Sequence, residues 1–453
     1  MKRRTALQLG AGAMGALTIG ANSYAAQTKI LPASAESLDE WRKMRFGMFI
    51  HWGPVSLTGK EIGWSRASET NETKTRWQEY DQLYKRFNPE SFDADEWVSV
   101  AQDTGMKYVV LTSRHHDGFC LWDSAYTDYD IMSTPFRRDV LKELTDACKQ
   151  KGVAFGPYFS ICDWRNPDYG YSHHAQAGYT PEGGEPNFDR FVEYNQNQLR
   201  EQIEKYGPYL VFWFDGEWEK PWTHERGVEL NNFCRELQSS VLINNRVDTG
   251  RKGMEGMSIN DGVQYAGDFG TPEQRVGLFN RDTPWETCMT IGKQWSWKPD
   301  DEIKSLKECL HTLIQTIGGD GNLLFNVGPM PDGRIEPRQV ERLRKMGEWI
   351  KAHQDAIYET RGGPYMPGEW GAATCKGNKI YLFVMSETGA TLKLPPLPQA
   401  PEMVKLLNGP ILNHQQDGES LRIELGARKR DPIATVIELR VKGEAFKIEP
   451  IKV

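Results

Sequence analysis

Short apolar runs alternate with amphipathic stretches about eight times along this chain, and that alternation restricts the fold more than any other feature of the sequence. The apolar runs lie at 46–53, 108–116, 154–164, 209–216, 241–246, 263–269, 285–291 and 322–329. Apolar residues recur at helical spacing at 93–104, 138–151, 189–206, 224–238, 302–317 and 338–356. Strands and helices alternating in this way predict an α/β fold of the (β/α)8 barrel type within residues 35–356.

The sixth apolar run, 263–269, is weakly marked, and the helix expected before it is missing or short. A doubly wound parallel sheet is the structural alternative, because it also alternates strands with helices. Such a sheet usually carries G-x-G-x-x-G after its first strand, whereas the first run here continues into "HWGPVSLTG". The barrel is therefore the favoured interpretation.

The pattern changes at about residue 358, where helical spacing disappears. Short strand-like runs follow, separated by Gly, Pro and Asn turns: "KIYLFVMS", "ATLKLP", "MVKLLN", "LRIEL" and "ATVIELRV". Short strands without intervening helices indicate an antiparallel sheet structure. We expect residues 358–453 to form a C-terminal β-sandwich appended to the barrel.

The first 25 residues have the pattern of an export signal. "MKRRTALQLGAGAMGALTIGANSYAA" begins with basic residues, continues with a weakly apolar stretch and ends in small residues. Arg3 and Arg4 before a modest apolar stretch resemble a twin-arginine signal, with cleavage expected after Ala25. The stretch is too short and glycine-rich for a good membrane span, and an uncleaved anchor is the alternative. The sequence therefore predicts a periplasmic or extracellular protein.

Composition limits the classes of partner. The chain has 39% hydrophobic and 26% charged residues, which is ordinary for a globular protein, and a formal net charge of −7. A negative balance argues against nucleic acid or an anionic membrane as the partner. The oligomeric state stays open.

Cysteine and histidine spacing gives no indication of a metal or cofactor. The seven cysteines form no C-x-x-C, and we expect most of them to be small buried residues, with one or two disulfides left open. The first run lacks an H-x-H pair, and the adjacent His115 and His116 of one strand point to opposite faces. We therefore expect neither a catalytic metal nor a cofactor.

Polar side chains interrupt the apolar runs, almost all of them at the carboxyl ends. They are His51, His115, His116, Tyr158, Asp163, Asp215, Arg246, Glu273 and Glu286. In a barrel these ends converge on one face, which is where such enzymes act. Asp215 ends the buried run "YLVFWFD", where a strand has no structural need of a carboxylate. A lone Asp at a strand end is usually a cap or a turn residue, but a set on several strands indicates a site.

Six segments carry a family resemblance. "RFGMFIHWG", "LTSRHHDGFCLWDS", "FGPYFSICDW", "WFDG", "PWETCMTIG" and "GGDGNLLFNVGPMPDG" resemble the α-L-fucosidases of glycoside hydrolase family 29 over residues 40–355. The resemblance implies a barrel with a C-terminal sandwich. It also implies an exo-acting, retaining hydrolase that releases terminal α-L-fucosyl residues from glycans.

The resemblance assigns the two carboxylates of the retaining mechanism. Asp215, at the end of the W-x-D strand, matches the nucleophile that forms the glycosyl-enzyme. Glu273 in "GTPEQ" matches the acid/base of members with T-x-E in this region, and Glu286 in "PWETC" is the second candidate. Glu217 is a third carboxylate, adjoining Asp215, and we expect it to point away from the site.

The resemblance also implies a set of substrate-binding residues: His51, Trp64, His115, His116, Tyr158, Trp213, Arg246 and Glu286. The histidines would hold sugar hydroxyls, since neutral imidazole offers one donor and one acceptor. Trp64 and Trp213 would pack against the apolar face and methyl group of fucose. Each single residue has a structural alternative, such as a satisfied buried histidine, and His173 and His174 are interpreted as surface residues.

Other functions fit parts of this pattern. A relative acting on another L-sugar, such as an α-L-galactoside or a sulfated fucose, would use the same residues. A non-catalytic glycan-binding barrel belongs to another class, and the presence of Asp215 with a Glu at each acid position argues against it. A metal-dependent hydrolase would lose activity in chelator. The expected partner is a fucosylated glycan, with its linkage left open.

Overall fold

The computed structural model describes residues 29–170, 185–386, 389–426 and 430–453. In these ranges the chain forms helices α1 (Ala35–Met44), α2 (Trp77–Tyr80), α3 (Ala94–Thr104), α4 (Val140–Lys151), α5 (Phe188–Tyr206), α6 (His224–Leu237), α7 (Leu306–Gly318) and α8 (Pro337–His353). No helix in the described ranges has the length and apolar character that crossing a membrane requires. The predicted export signal, 1–25, and the His173–His174 pair lie outside the described residues.

The first nine strands lie in the barrel part of the molecule. They are β1 (Phe46–Ile50), β2 (Arg66–Ala67), β3 (Thr75–Arg76), β4 (Tyr108–Arg114), β5 (Ala154–Ser160), β6 (Val211–Asp215), β7 (Leu242–Ile243), β8 (Glu286–Thr290) and β9 (Asn322–Val327). Seven of them form one parallel sheet in the order β7-β6-β5-β4-β1-β9-β8, while β2 and β3 pair separately.

Residues 269 and 270 connect the two edges of this sheet. Asn244, directly after β7, pairs in parallel with Phe269, and Gly270 pairs in parallel with Trp285, directly before β8. The backbone ladder therefore continues from one edge strand to the other and closes the sheet into a ring. The predicted (β/α)8-type barrel is confirmed, with a sixth position made of bridges alone.

The predicted sixth strand at 263–269 is wrong as a strand, and two local features explain why. Gly267 has a φ of 108°, and a Cβ there would lie 2.6 Å from the Cα of Asn245. The side chain of Asp268 accepts the backbone N–H of Ile243 at 2.7 Å. A hydrogen bond to the Asp268 side chain and a glycine in the left-handed region thus replace the regular backbone ladder of a strand. Only Phe269, at the end of the segment, pairs with the chain after β7.

Side chains that point inward from alternate strand positions fill the barrel interior. Val211 and Trp213 of β6 point inward, whereas Phe212 and Phe214 join the layer between the sheet and the helices. The interior cluster consists of Trp41, Phe49, Tyr108, Val110, Tyr158, Val211, Trp213, Leu242, Phe269, Cys288 and Leu324. The same alternation places Asp215 on the inner face, one layer above Trp213. All seven cysteines are buried with free thiols, so neither disulfide left open by the sequence forms.

Side-chain caps determine where most helices begin. The capping residues are Ser34, Asp93, Asp139, Asn187, Thr223 and Ser305. At α7 the Ser305 hydroxyl and the Glu308 carboxylate form a reciprocal capping box, so this helix begins at Leu306 rather than at the predicted residue 302. The helices otherwise agree with the periodic stretches to within a few residues.

The C-terminal strands form two antiparallel sheets. They are β10 (Arg361–Gly362), β11 (Gly371–Lys376), β12 (Lys379–Val384), β13 (Thr391–Leu394), β14 (Met403–Leu406), β15 (His414–Gln416), β16 (Leu421–Glu424) and β17 (Thr435–Arg440). The orders are β10-β11-β12-β17-β14 and β13-β16-β15. Ile380 and Leu439 of the larger sheet share one core with Leu392 and Ile423 of the smaller sheet. This is the expected sandwich; the exact domain boundary at 356–358 stays a prediction.

The sandwich packs against the barrel through one side of its larger sheet. Ala372, Tyr381, Phe383 and Val436 belong to the apolar core of the barrel layer rather than to the sandwich core. Arg281 of the barrel donates to the backbone carbonyls of residues 446 and 448, at 3.1 and 3.0 Å. The two parts therefore share buried apolar surface.

Candidate active site

A pocket opens at the carboxyl ends of the barrel strands. Its empty volume, counting the open mouth, is about 590 Å³. The lining consists of Phe49, His51, Trp64, His115, Tyr158, Trp213, Asp215, Trp218, Arg246, Arg251, Met254, Glu273, Cys288 and Trp295. Eight of the ten residues predicted for the site are in this set.

Asp215 is the last residue of β6 and lies on the pocket wall. Its side chain accepts hydrogen bonds from the Tyr158 hydroxyl at 3.0 Å and from Nη1 of Arg246 at 2.8 Å. The chain turns directly afterwards at Gly216, whose φ is 103°, and a Cβ there would lie 2.3 Å from Sγ of Cys162. Only 8% of Asp215 is exposed. The carboxylate is held on two sides and reached from the pocket.

Opposing effects act on the ionisation of Asp215. Burial raises the pKa of Asp215, but the positive charge of Arg246 lowers it, with smaller contributions from His116 and Arg251. The charges outweigh burial, so the pKa of Asp215 lies below its ordinary value. The group is therefore an anion at neutral pH, which a carboxylate nucleophile must be.

Arg246 joins two carboxylates. Its Nη1 contacts Oδ1 of Asp215 at 2.8 Å, and its Nη2 contacts Oε2 of Glu273 at 2.7 Å. Its Nε donates to Oγ1 of Thr271 at 2.9 Å, and its guanidinium lies 4.6 Å from the centre of the Trp213 ring. Every nitrogen of the guanidinium is engaged, so the side chain is fixed. One guanidinium thus places both carboxylates on the same side of the pocket.

Glu273 lies on the segment that replaces the sixth strand. It forms a parallel bridge with Cys288 of β8, and its backbone N–H donates to the carbonyl of Met254 at 3.1 Å. Its side chain is 17% exposed, compared with 12% for the Asp215 side chain. The Glu273 carboxylate is therefore the more accessible of the two to solvent.

Two histidines face the pocket as neutral rings. His51 makes a 2.6 Å hydrogen bond through Nδ1 to the Asn326 side chain, and burial lowers the pKa of His51 to about 3. The His115 ring stacks on Tyr158 with 5.3 Å between centroids. Burial, together with His116 and His51, lowers the pKa of His115 well below its ordinary value. Neutral imidazoles suit hydroxyl groups, because each offers one donor and one acceptor.

His116 lies behind Asp215 rather than in the pocket lining. Its Nε2 is 3.6 Å from Oδ2 of Asp215, and its Nδ1 is 2.6 Å from the Ser160 hydroxyl. The structure therefore places His116 against the carboxylate, and the contact with a sugar hydroxyl that the resemblance implies stays a prediction.

Glu286 is also outside the pocket lining. It lies on β8 two residues before Cys288, so strand alternation puts it one layer deeper in the barrel. It is 1% exposed and accepts hydrogen bonds from the Trp213 indole N–H at 3.0 Å and from the Tyr108 hydroxyl. Burial raises the pKa of Glu286 to about 7, against the effect of these bonds.

Aromatic side chains form the rim of the pocket. Trp64 and Trp218 are stacked, with 6.0 Å between centroids and 17° between planes. Trp295 lies 4.8 Å from His51 on another side of the rim. Rings at these positions provide flat apolar surfaces beside polar groups, which suits the mixed character of a sugar. Among the described residues, no group of three or more His, Cys, Asp or Glu side chains is arranged to hold a metal ion.

A family model named α-L-fucosidase matches residues 16–355 of the chain. The chain belongs to the α-L-fucosidase family. One relative, an α-L-fucosidase of Branchiostoma floridae, is 30% identical over 77% of this chain and 80% of its own length. The plasma α-L-fucosidase of Homo sapiens is 29% identical over 80% of this chain and 79% of its own length. The predicted family is therefore confirmed.

Solved structures of α-L-fucosidases have the same architecture. Isoenzyme 1 from Paenibacillus thiaminolyticus superposes with a TM-score of 0.80 at 33% identity, covering 90% of this chain and 99% of its own. A family 29 enzyme from Bacteroides thetaiotaomicron has a TM-score of 0.79 at 27% identity, covering 92% and 98%. That structure is described as a covalent intermediate trapped with 2-fluoro-fucosyl fluoride in a Glu-to-Gln mutant.

Sequence reasoning missed six lining residues of this family member: Phe49, Trp218, Arg251, Met254, Cys288 and Trp295. Trp295 follows β8 in "GKQWSWK", so the rule of polar and aromatic residues after strand ends would have found it. Trp218 lies three residues after Asp215 and was available to the same rule. Arg251 and Met254 lie in the irregular chain after β7, where no periodic signal precedes them.

Glu61 links two loops around the pocket. Its carboxylate accepts the backbone N–H groups of Trp295 at 2.9 Å and Ser296 at 3.1 Å. In return, Oγ of Ser296 accepts the backbone N–H of Ile62 at 3.0 Å. The polar segment after β1, which carries Trp64, is thus attached to the loop that carries Trp295.

Proposed function

We propose that this chain is an exo-acting α-L-fucosidase that hydrolyses terminal α-L-fucosyl residues of glycans with retention of configuration. The observation that carries the proposal is the Asp215–Arg246–Glu273 arrangement at the carboxyl ends of the barrel strands. Retaining glycosidases need a nucleophile and an acid/base about 5 Å apart. A single guanidinium bonded to both groups supports that order of separation.

In the proposed first step, Asp215 attacks the anomeric carbon and forms a glycosyl-enzyme. Glu273 gives its proton to the glycosidic oxygen, so the bond to the leaving group breaks as the new bond forms. The low pKa of Asp215, which Arg246 maintains against burial, supports its role as the anion. The greater exposure of the Glu273 side chain supports its position beside the leaving group.

In the second step, Glu273 takes a proton from water, and the resulting hydroxide displaces Asp215 from the anomeric carbon. Two inversions leave the configuration unchanged. The Tyr158 hydroxyl, 3.0 Å from Oδ2 of Asp215, stabilises the carboxylate as it departs. The neutral His51 and His115 bind sugar hydroxyls in this proposal, and Trp64 and Trp213 contact the apolar face and methyl group.

We also propose that the chain acts outside the cytoplasm after residues 1–25 are removed. The basic start and small residues near Ala25 support this proposal. The N-terminal sequence of the protein isolated from its native host tests it directly. An intact N-terminus at Met1 would contradict it.

The proposed activity is tested with 4-nitrophenyl α-L-fucoside and the matching α-L-galactoside. The account expects faster turnover of the fucoside, unchanged turnover in EDTA, and near-complete loss in Asp215→Ala. Azide is expected to rescue Asp215→Ala or Glu273→Ala through a glycosyl azide, whose anomeric configuration identifies the role of each carboxylate. A preference for the galactoside would show that the substrate is another L-sugar. A folded wild type without activity would contradict the proposed function.

A further inference from the structure

We propose that Glu286 is a positioning residue: its buried carboxylate fixes Trp213, and Trp213 in turn fixes Arg246 and Tyr158 around Asp215. The inference rests on the proposed function. It gives Glu286 a role that is neither acid/base catalysis nor direct sugar binding.

The contacts of Glu286 are directed at two neighbours in the barrel interior. Oε1 accepts the indole N–H of Trp213 at 3.0 Å, and Oε2 accepts the hydroxyl of Tyr108. The residue is 1% exposed and lies below Cys288, which lines the pocket floor. Of these two partners in the described part of the chain, Trp213 is the one that lines the pocket, so it connects the Glu286 carboxylate to the site.

Trp213 contacts both side chains that hold Asp215. Its ring stacks on Tyr158, with 5.6 Å between centroids and 17° between planes, and Arg246 lies 4.6 Å above it. Tyr158 and Trp213 are also register partners of neighbouring strands. A rotation of the indole ring would displace the Tyr158 hydroxyl and the guanidinium together. The position of the Asp215 carboxylate thus depends on the orientation of one ring.

A hydrogen-bond acceptor at position 286 is what holds that orientation. A buried indole N–H needs a partner, and among the described contacts the Glu286 oxygen is the one that Trp213 uses. Tyr108 can donate or accept, whereas the indole can only donate. An ionised Glu286 accepts from both neighbours. A neutral Glu286 still accepts from Trp213 while donating to Tyr108, and a glutamine would do the same.

Two substitutions of Glu286 distinguish a positioning role from proton transfer. Glu286→Gln keeps an acceptor for Trp213 and keeps the side-chain volume, but it cannot exchange a proton. Glu286→Leu removes the acceptor. A positioning residue should tolerate the first change and not the second, whereas an acid/base should tolerate neither.

The test is a double-mutant cycle on 4-nitrophenyl α-L-fucoside with Glu286→Leu, Trp213→Phe and the double variant. We expect Glu286→Leu to lower kcat on the order of tenfold to a hundredfold, since small misplacements of reacting groups cost that much. We expect Glu286→Gln to stay within about threefold of the wild type. In the Trp213→Phe background, Glu286→Leu should have little further effect on kcat. Independent, multiplying effects would overturn the inference.

Two additional readouts keep the test decisive. If Glu286→Leu does not fold, Glu286→Gln decides alone, because loss to the level of Glu273→Ala, with azide rescue, would identify Glu286 as the acid/base. If the wild type has no fucosidase activity, the proposed function fails, but the indole N–H resonance of Trp213 still reports on the contact. That resonance, assigned by its disappearance in Trp213→Phe, should move strongly in Glu286→Leu and little in Glu286→Gln. Equal movement, or none in either variant, would overturn the inference.

Discussion

Arg246 determines the charge state of Asp215, because its buried guanidinium is bonded to that carboxylate as well as to Glu273. Burial alone would raise the pKa of Asp215, and the charge of Arg246 is the largest effect opposing it. The pKa of Asp215 is therefore expected to stay low only while Arg246 is present. Substitution of Arg246 should therefore change both the rate of hydrolysis and its dependence on pH.

We predict that Arg246→Met lowers kcat/KM by at least about a hundredfold, because a buried carboxylate loses its partner. Without Arg246 the pKa of Asp215 rises, so the acidic limb of the kcat/KM profile should move to higher pH. Initial rates on the aryl fucoside across a pH series measure both effects. Arg246→Lys, which keeps a charge, should shift the limb less. An acidic limb that stays in place in Arg246→Met would contradict the prediction.

Glu286 should make stability depend on pH. Burial raises the pKa of Glu286 from 4.5 in the unfolded chain to about 7 in the fold, so the folded state binds the proton more tightly. The stability from this group is complete below pH 4.5 and is lost as pH rises through about 7. The shift corresponds to about 3 kcal/mol.

We therefore predict that Glu286→Gln gains stability relative to the wild type between pH 4.5 and pH 8, by up to about 3 kcal/mol. Denaturant unfolding of both proteins at several pH values measures this difference. Parallel pH dependence of the two proteins would show that Glu286 does not titrate in this range.

At the scale of elements, the barrel provides the site with a rigid floor, and two loops provide its walls. The segment between β1 and α3 and the segment between β8 and α7 are joined by the Glu61 carboxylate. The bonded residues Glu61 and Trp295 are 234 positions apart in the chain. The geometry of the rim therefore depends on a long-range contact.

We predict that Glu61→Ala raises KM for the aryl fucoside more than it lowers kcat. The change leaves the backbone N–H groups of Trp295 and Ser296 without their acceptor, at about 1–3 kcal/mol each. Thermal unfolding should show a lower Tm, and steady-state kinetics should show the KM effect. Glu72→Ala, an exposed change in the same segment, is the control. Equal effects of the two substitutions would contradict the role of Glu61.

Most of the barrel could be predicted from the sequence because its strands are buried apolar runs that differ clearly from the amphipathic helices between them, as in β4 and β6. The prediction was wrong at 263–269, where apolar residues suggested a strand. The left-handed Gly267 and the hydrogen bond of the Asp268 side chain prevent regular backbone pairing there. Strand-end reasoning predicted Asp215 and Arg246, which the structure joins in one ion pair. It did not find Arg251 or Met254, since they lie in the irregular chain after β7, where no periodic signal precedes them.

At the scale of the whole molecule, the barrel and the sandwich share apolar core. Tyr381, Phe383 and Val436 of the sandwich pack with the barrel layer, and Arg281 is bonded to the C-terminal backbone. Removing the sandwich would expose these surfaces to water. The two parts should therefore unfold together.

We predict a single calorimetric transition for the full chain and an insoluble or unfolded product for residues 29–357 alone. Differential scanning calorimetry and circular dichroism of the two proteins measure this. Two separate transitions in the full chain, or a folded and active 29–357 fragment, would contradict the shared core.

The central claim is that Asp215 forms a covalent bond with the anomeric carbon of fucose. The most direct measurement is mass spectrometry of the protein after incubation with 2-fluoro-fucosyl fluoride, followed by peptide mapping. We expect one fluorofucosyl group per chain, carried by the peptide that contains Asp215 and absent in Asp215→Ala. A label on another residue, or no label on an enzyme that turns over the aryl fucoside, would contradict it.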